Sequence, residues 1–154
     1  MVRPSTALPP CSIARSLEVV GARWTLLILR EAFAGRTRFA EFRTALGIAP
    51  DVLSERLATL VEYGVLRKEP YQEPGTRARY SYHLTDTGRE LWVVLGALQQ
   101  WGDDHLPRTV GPTVERRSRS SQLPLRVGFV DPNGAEVDLD DVQMLPTAAY
   151  PTAG

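Results

Sequence analysis

Apolar residues recur at helical spacing through the N-terminal part of the chain. From Ser12 to Val20, Ile13, Ala14, Leu17 and Val20 fall on one face, and Gly21 stops the run. Trp24 to Phe33 is apolar almost all round (Leu26, Leu27, Ile28, Leu29, Phe33), which predicts a helix buried on most sides and closed by Gly35. A shorter helix is predicted from Thr37 or Arg38 to about Leu46, with Phe39, Phe42, Ala45 and Leu46 repeating every three or four residues. Gly47 breaks it. After Gly47-Ile48-Ala49-Pro50 the helical pattern resumes from Asp51 to Tyr63. Pro50 fixes its start, Asp51 puts an acid in its first turn, and Gly64 marks its end.

Two short strands follow, Val65 to Glu69 and Arg79 to Leu84, joined by a turn-rich stretch that begins Pro70-Tyr71-Gln72-Glu73-Pro74-Gly75. Thr85-Asp86-Thr87-Gly88 leads into a long helix reaching about His105, which carries Leu91, Val94, Leu95, Leu98 and Trp101 and ends before Pro107. Residues 108–123 turn to Ser, Arg, Pro and Gly and read as a linker. Beyond it, Leu125 to Val130 and Ala135 to Leu139 alternate in strand fashion around Asp131-Pro132-Asn133-Gly134, the signature of a hairpin turn. The chain thus divides into a flexible segment 1–10, a domain 11–107, a linker 108–123, a hairpin appendage 124–145 and a flexible tail 146–154.

Helix, short helix, Gly-containing turn, longer helix and two-stranded hairpin is the order of a winged helix-turn-helix, whose second helix can lie in the major groove. The fold class expected is mainly α with a small β wing (α+β), extended by a long C-terminal dimerisation helix and the appended hairpin. On the helix from Asp51, Leu53, Leu57, Leu60 and Val61 share one arc at about 100° per residue. Val52, Glu55, Thr59 and Glu62 lie opposite, with Asp51 and Arg56 on the flanks. An ordinary surface helix has the same periodicity, so the neighbourhood distinguishes the two. Arg36, Arg38 and Arg43 precede or occupy the shorter helix, and Arg77 and Arg79 sit on the hairpin, where phosphates would flank a groove. The expected DNA-contacting set is Arg36, Arg38, Arg43, Asp51, Val52, Ser54, Glu55, Arg56, Thr59, Arg77 and Arg79. Glu55 can accept from cytosine N4, and Arg56 can take either guanine or a phosphate.

Composition changes this picture little. The chain has 154 residues, 43% hydrophobic and 23% charged, ordinary for a packed soluble domain. Its formal net charge is zero, so any attraction for DNA must come from local asymmetry. Lys68 is the only lysine among otherwise arginine cations. The single cysteine, Cys11, precludes an intrachain disulfide and a multi-cysteine metal site, and a reducing cytoplasm is the simplest home. Residues 1–10 do not read as a secretion signal. No apolar run approaches the roughly 20 residues that span a bilayer, so no membrane partner is expected. No catalytic set, cofactor or metal site is expected. His83 and His105 are isolated, and Asp138, Asp140 and Asp141 lack the Gly and distal Glu of a calcium loop.

Several stretches together resemble the HxlR-type regulators, relatives of the MarR group: Cys11-Ser12-Ile13-Ala14-Arg15, Gly21 to Glu31, Arg38-Phe39-Ala40-Glu41-Phe42, Gly47-Ile48-Ala49-Pro50, Leu53-Ser54-Glu55-Arg56-Leu57, Tyr63-Gly64-Val65-Leu66 and Tyr82 to Gly88. The resemblance covers Cys11 to about Leu106. It implies a dimeric bacterial repressor or activator that binds double-stranded DNA at a roughly two-fold symmetric operator. It also implies that the first and last helices of the domain build the homodimer, through Leu17, Leu91, Leu95, Leu98 and Trp101. Cys11 matches the N-terminal cysteine that thiol-sensing members oxidise, and a small buried apolar role is the alternative. A different class also remains open. Trp24, Phe33, Trp92 and Trp101 are candidates to line a cavity for a small hydrophobic effector, though plain aromatic packing is the simpler account of them. A winged helix used only to dock another protein is a third option.

Overall fold

The computed structural model describes residues 9–149, and the parts of the expected terminal segments at 1–8 and 150–154 lie outside them. Two compact units are present, Met1–Trp92 and Val93–Gly154.

In the first unit the helices follow the periodicity of the sequence: α1 (Ser12–Val20), α2 (Arg23–Phe33), α3 (Phe39–Leu46) and α4 (Pro50–Glu62). Strands β1 (Leu66–Tyr71) and β2 (Arg79–Leu84) pair antiparallel from Leu66 opposite Leu84 to Tyr71 opposite Arg79. Helix α5 (Asp86–His105) begins in this unit and continues into the next. The result is five helices and a small β wing, the α+β class expected.

The core forms where the apolar stripes meet. Ile28 and Leu29 of α2, Phe42 of α3, and Leu53, Leu57 and Leu60 of α4 are fully buried, and Leu66 at the root of the wing closes the set. Each such side chain contributes about 1.5–3 kcal/mol relative to exposure. Helix α2 is less enclosed than its composition predicts. Leu26, Leu27 and Phe33 are only half-buried, and Arg23 and Arg30 reach solvent. The bend between α3 and α4 depends on Gly47, which sits at φ 60° and donates its N–H to the Arg43 carbonyl at 2.9 Å. That left-handed conformation disfavours residues with a Cβ.

A second junction docks α5 on the wing. The Thr85 hydroxyl donates to the Gly64 carbonyl (2.6 Å) and accepts from the Gly88 N–H (3.0 Å), capping the helix. The Thr85 N–H reaches the Val65 carbonyl (3.1 Å). Gly88 is buried so closely under that carbonyl that any Cβ there would overlap it.

The second unit holds the rest of α5, the hairpin strands β3 (Phe129–Val130) and β4 (Glu136–Val137), and a short 3-10 turn over Leu139–Asp141. The strands are shorter than the alternation predicts, for a visible reason. Gln100 on α5 takes the backbone of Val127 at both ends, donating to its carbonyl (3.0 Å) and accepting its N–H (2.9 Å). Leu125 instead donates its N–H to the Arg116 carbonyl (2.8 Å). A helix side chain and a loop therefore take bonds that a longer ladder would have used. The predicted turn is present: Asp131 accepts from the N–H groups of Asn133 (2.8 Å) and Ala135 (3.0 Å), which holds its carboxyl below the usual range. Residues 108–123 return along α5, where Gln99 donates to the Val114 carbonyl at 2.7 Å.

Candidate nucleic-acid interface

Helix α4 keeps its apolar arc inside and its polar arc uncovered. Asp51, Ser54 and Glu55 are exposed, while Val52, Arg56 and Thr59 are partly so. Arg56 leans on its neighbour, its guanidinium 2.9 Å from the Glu55 carboxylate. This pair puts a donor fork and an acceptor side by side, the two chemistries that read guanine and cytosine edges.

The wing is tied to the helix pair at its root. Tyr82 donates its N–H to the Thr37 carbonyl (2.7 Å), and Arg38 forms an isolated bridge with Ser81, so residues just ahead of α3 extend the hairpin. The Glu41 carboxylate caps the start of α3 by accepting from the N–H groups of Thr37 and Arg38, both at 2.9 Å. Those backbone bonds hold its carboxyl below the usual range.

The expected arginines fall into two groups. Arg36 and Arg38 are engaged within the protein. Arg36 donates to Glu31 at 2.5 Å, and Arg30 holds the other carboxylate oxygen, also at 2.5 Å. Arg38 lies over the Tyr71 ring (4.7 Å) and bonds Glu73 of the wing loop at 2.6 Å. By contrast Arg43 on α3, Arg77 in the wing loop and Arg79 at the start of β2 are exposed and, among the described residues, pair with no carboxylate.

Sequence reasoning missed Glu31, Glu73 and Lys68. Glu31 is buried, with 6% exposure, and a carboxylate in a largely apolar helix, next to Arg30 and five residues before Arg36, was a legible signal. Glu73 offered no local signal, because its partner is 35 residues away. Lys68 sits 3.8 Å from the Tyr80 ring, adding a cation to the wing. On the opposite face Arg67, Glu69, Ser81 and His83 form a chain of contacts, with Arg67 to Glu69 at 2.6 Å and His83 to Ser81 at 2.9 Å.

The other candidates lie as follows. Leu17, Leu98 and Trp101 are exposed, and Leu91 and Leu95 are half-buried. Phe33 and Trp92 pack ring to ring at 4.2 Å, Trp24 lies under Arg23 at 5.2 Å, and Trp101 approaches His105 at 5.2 Å. Cys11 is an exposed free thiol at the N-terminal boundary of α1. The backbone amides of Ala14 and Ile13, with a smaller contribution from Arg15, pull its pKa below the ordinary thiol value.

With that geometry in hand, residues 19–110 match the family model for HxlR-like helix-turn-helix proteins. The chain belongs to the HxlR-like helix-turn-helix family. An uncharacterized HTH-type transcriptional regulator of Mycobacterium tuberculosis is 48% identical over 106 residues, covering 69% of this chain and 66% of the relative. The chain thus spans just under two thirds of the curated relatives it matches first. The crystal structure of PA1607, described as a transcription factor, aligns with a TM-score of 0.76 at 36% identity over 89% of this chain and 95% of its own. The redox regulator HypR in its reduced form aligns at 0.57 and 26% identity over 62% of this chain and 94% of its own. The family and its curated relatives are transcriptional regulators, and no enzymatic family is indicated. Among the described residues no helix is long and apolar enough to cross a membrane.

Proposed function

We propose that this HxlR-like protein binds double-stranded DNA sequence-specifically, as a homodimer on a pseudo-palindromic operator in the cytoplasm. Helix α4 enters the major groove, and the wing holds the flanking backbone. The observation that carries this reading is the uncovered polar side of α4 together with three exposed arginines, Arg43, Arg77 and Arg79, that pair with no carboxylate among the described residues. In a chain of zero net charge such a local asymmetry supplies the phosphate attraction. Asp51 and Glu55 repel phosphate, which keeps α4 for base edges and leaves the backbone to the arginines.

Dimerisation is supported by the exposed apolar side chains of Leu17, Leu98 and Trp101, which a monomer leaves in water. Control by thiol oxidation is supported by the exposed, acidified Cys11 and by the description of the HypR neighbour as a redox regulator. With one thiol per chain, a peroxide would take two electrons from two Cys11 groups to leave an intersubunit disulfide and water. A mixed disulfide with a small thiol is the alternative product. A small-molecule cavity has weaker support, since Phe33 and Trp92 already fill each other's space.

The test is an unbiased selection of genomic fragments by the reduced protein at low ionic strength. Enrichment of an inverted repeat with half-sites about one helical turn apart is expected. Recovery of no preferred fragment would overturn the proposal.

A further inference from the structure

On the polar side of α4 the donors are engaged within the helix, while the free groups are acceptors. The Thr59 hydroxyl donates to the Glu55 carbonyl (3.1 Å), and the Arg56 Nη2 donates to the Glu55 carboxylate (2.9 Å). Asp51, Glu55 and Glu62 are exposed on the side turned away from Leu53, Leu57 and Leu60. Only the Ser54 hydroxyl among them can either donate or accept. A helix surface of this kind suits bases that present an N–H to the major groove, and the amino groups of cytosine and adenine are the ones that do.

Glu55 is the best placed of the three acids. Its side chain is 65% exposed, against 28% for Arg56, so the carboxylate stands farther out than the guanidinium that holds it. Arg56 takes one carboxylate oxygen, and no hydrogen bond reaches the other among the described residues. The acceptor is therefore tethered and still open. Asp51 has a shorter stem and, among the described residues, no such tether. Glu62 is the last residue of α4, whereas base contacts come from the N-terminal part of a recognition helix.

The four bases then separate on lone pairs. Guanine offers O6 and N7 and thymine offers O4, all acceptors that repel a carboxylate. Adenine offers N6–H, but its N7 acceptor lies alongside and faces the second carboxylate oxygen. Cytosine offers N4–H with no acceptor beside it on the groove edge, so a carboxylate meets a donor there without a penalty.

We propose that Glu55 is the specificity-determining residue of α4, accepting from the N4 amino group of a cytosine in the operator half-site, and that Arg56 is its positioning residue. The assignment rests on α4 lying in the major groove, as proposed above, and adds to it the base that is read. It also separates the roles of the two neighbours: Arg56 holds the reader and is not itself the reader of a guanine.

The experiment is selection from a randomised duplex library by the full-length reduced protein, for the wild type, Glu55→Gln, Glu55→Ala and Arg56→Ala. The wild-type motif is expected to hold one position per half-site where cytosine is preferred at least about fivefold over each other base. Glu55→Gln should move that position, and no other, toward adenine, whose N6 and N7 a glutamine amide meets together. Glu55→Ala should leave the position without preference, and Arg56→Ala should weaken the cytosine preference there without replacing it. A motif unchanged at every position in both Glu55 variants overturns the inference while leaving DNA recognition intact. So does a changed position that prefers guanine, or an Arg56→Ala motif that changes at a different position. A wild type that selects no motif overturns both readings. Should the variants misfold, the wild type decides with 7-deazaguanine placed opposite each preferred cytosine in turn. Affinity stays unchanged at one such position at least if a carboxylate reads N4, and falls at every one if arginines read guanine N7 instead.

Discussion

The Arg38 guanidinium spans from the start of α3 to the Glu73 carboxylate in the wing loop, 2.6 Å away, while lying across the Tyr71 ring. An arginine aimed at phosphate thus spends its time on an internal acid, and DNA must compete for it. Both side chains are about half-exposed, so the pair itself is worth only about 0.2–1 kcal/mol. Glu73→Gln is therefore expected to tighten DNA binding about two- to fivefold at low salt. Fluorescence titration checks this, and an unchanged or weaker affinity would show that Arg38 does not meet the duplex.

Arg77 and Arg79 carry no such internal partner among the described residues. Arg77→Ala and Arg79→Ala should each weaken binding to specific and non-specific DNA alike. Each should also reduce the slope of log affinity against log salt by about 1, the signature of a lost phosphate contact. Titrations at two salt concentrations measure it, and wild-type slopes in both variants would remove the wing from the interface.

The junction at Gly88 is predicted to be intolerant of any side chain. Gly88→Ala forces its new methyl into the Val65 carbonyl, so α5 must shift away from the root of the wing. Destabilisation of about 1–3 kcal/mol is expected. Thr85→Ala, which removes the cap and the bond to the Gly64 carbonyl, should cost about 0.5–2 kcal/mol. Urea unfolding followed by circular dichroism checks both, and a Gly88→Ala protein as stable as wild type would contradict the packing described.

Cys11 should react as a thiolate at lower pH than an unstructured cysteine. The Ala14 and Ile13 amides stabilise the ionised sulfur only while α1 is folded. The alkylation rate by iodoacetamide should therefore rise with pH through a midpoint below about 8.5, the value for free cysteine. In urea the midpoint should return to that value. Equal midpoints in the folded and unfolded protein would show that the helix start does not acidify the thiol.

How far the fold was legible follows from how local each signal is. The stripe Leu53, Leu57, Leu60 repeats every three or four residues, so α4 could be placed within a residue at each end. Gly47 and Pro50 framed the bend for the same reason. The length of the C-terminal strands could not be read, because what limits them is Gln100, far back on α5, capturing the Val127 backbone. The engagement of Arg38 was equally invisible, because its partner Glu73 lies 35 residues away and only folding brings the two together. Conversely, Thr85 and Gly88 were visible in sequence as the lead-in to the long helix, and the Val65 carbonyl, bonded by the Thr85 N–H and pressed against Gly88, gives both a physical role.

The bond from the Tyr82 N–H to the Thr37 carbonyl has a consequence for how such regulators can diversify. It anchors the hairpin two residues ahead of α3, while at the far end the Glu73 carboxylate is bonded by Arg38, the residue just before α3. The tip is in effect an exchangeable fingertip on a fixed knuckle. Its length and charge can be rewritten without changing the angle at which the helices present themselves.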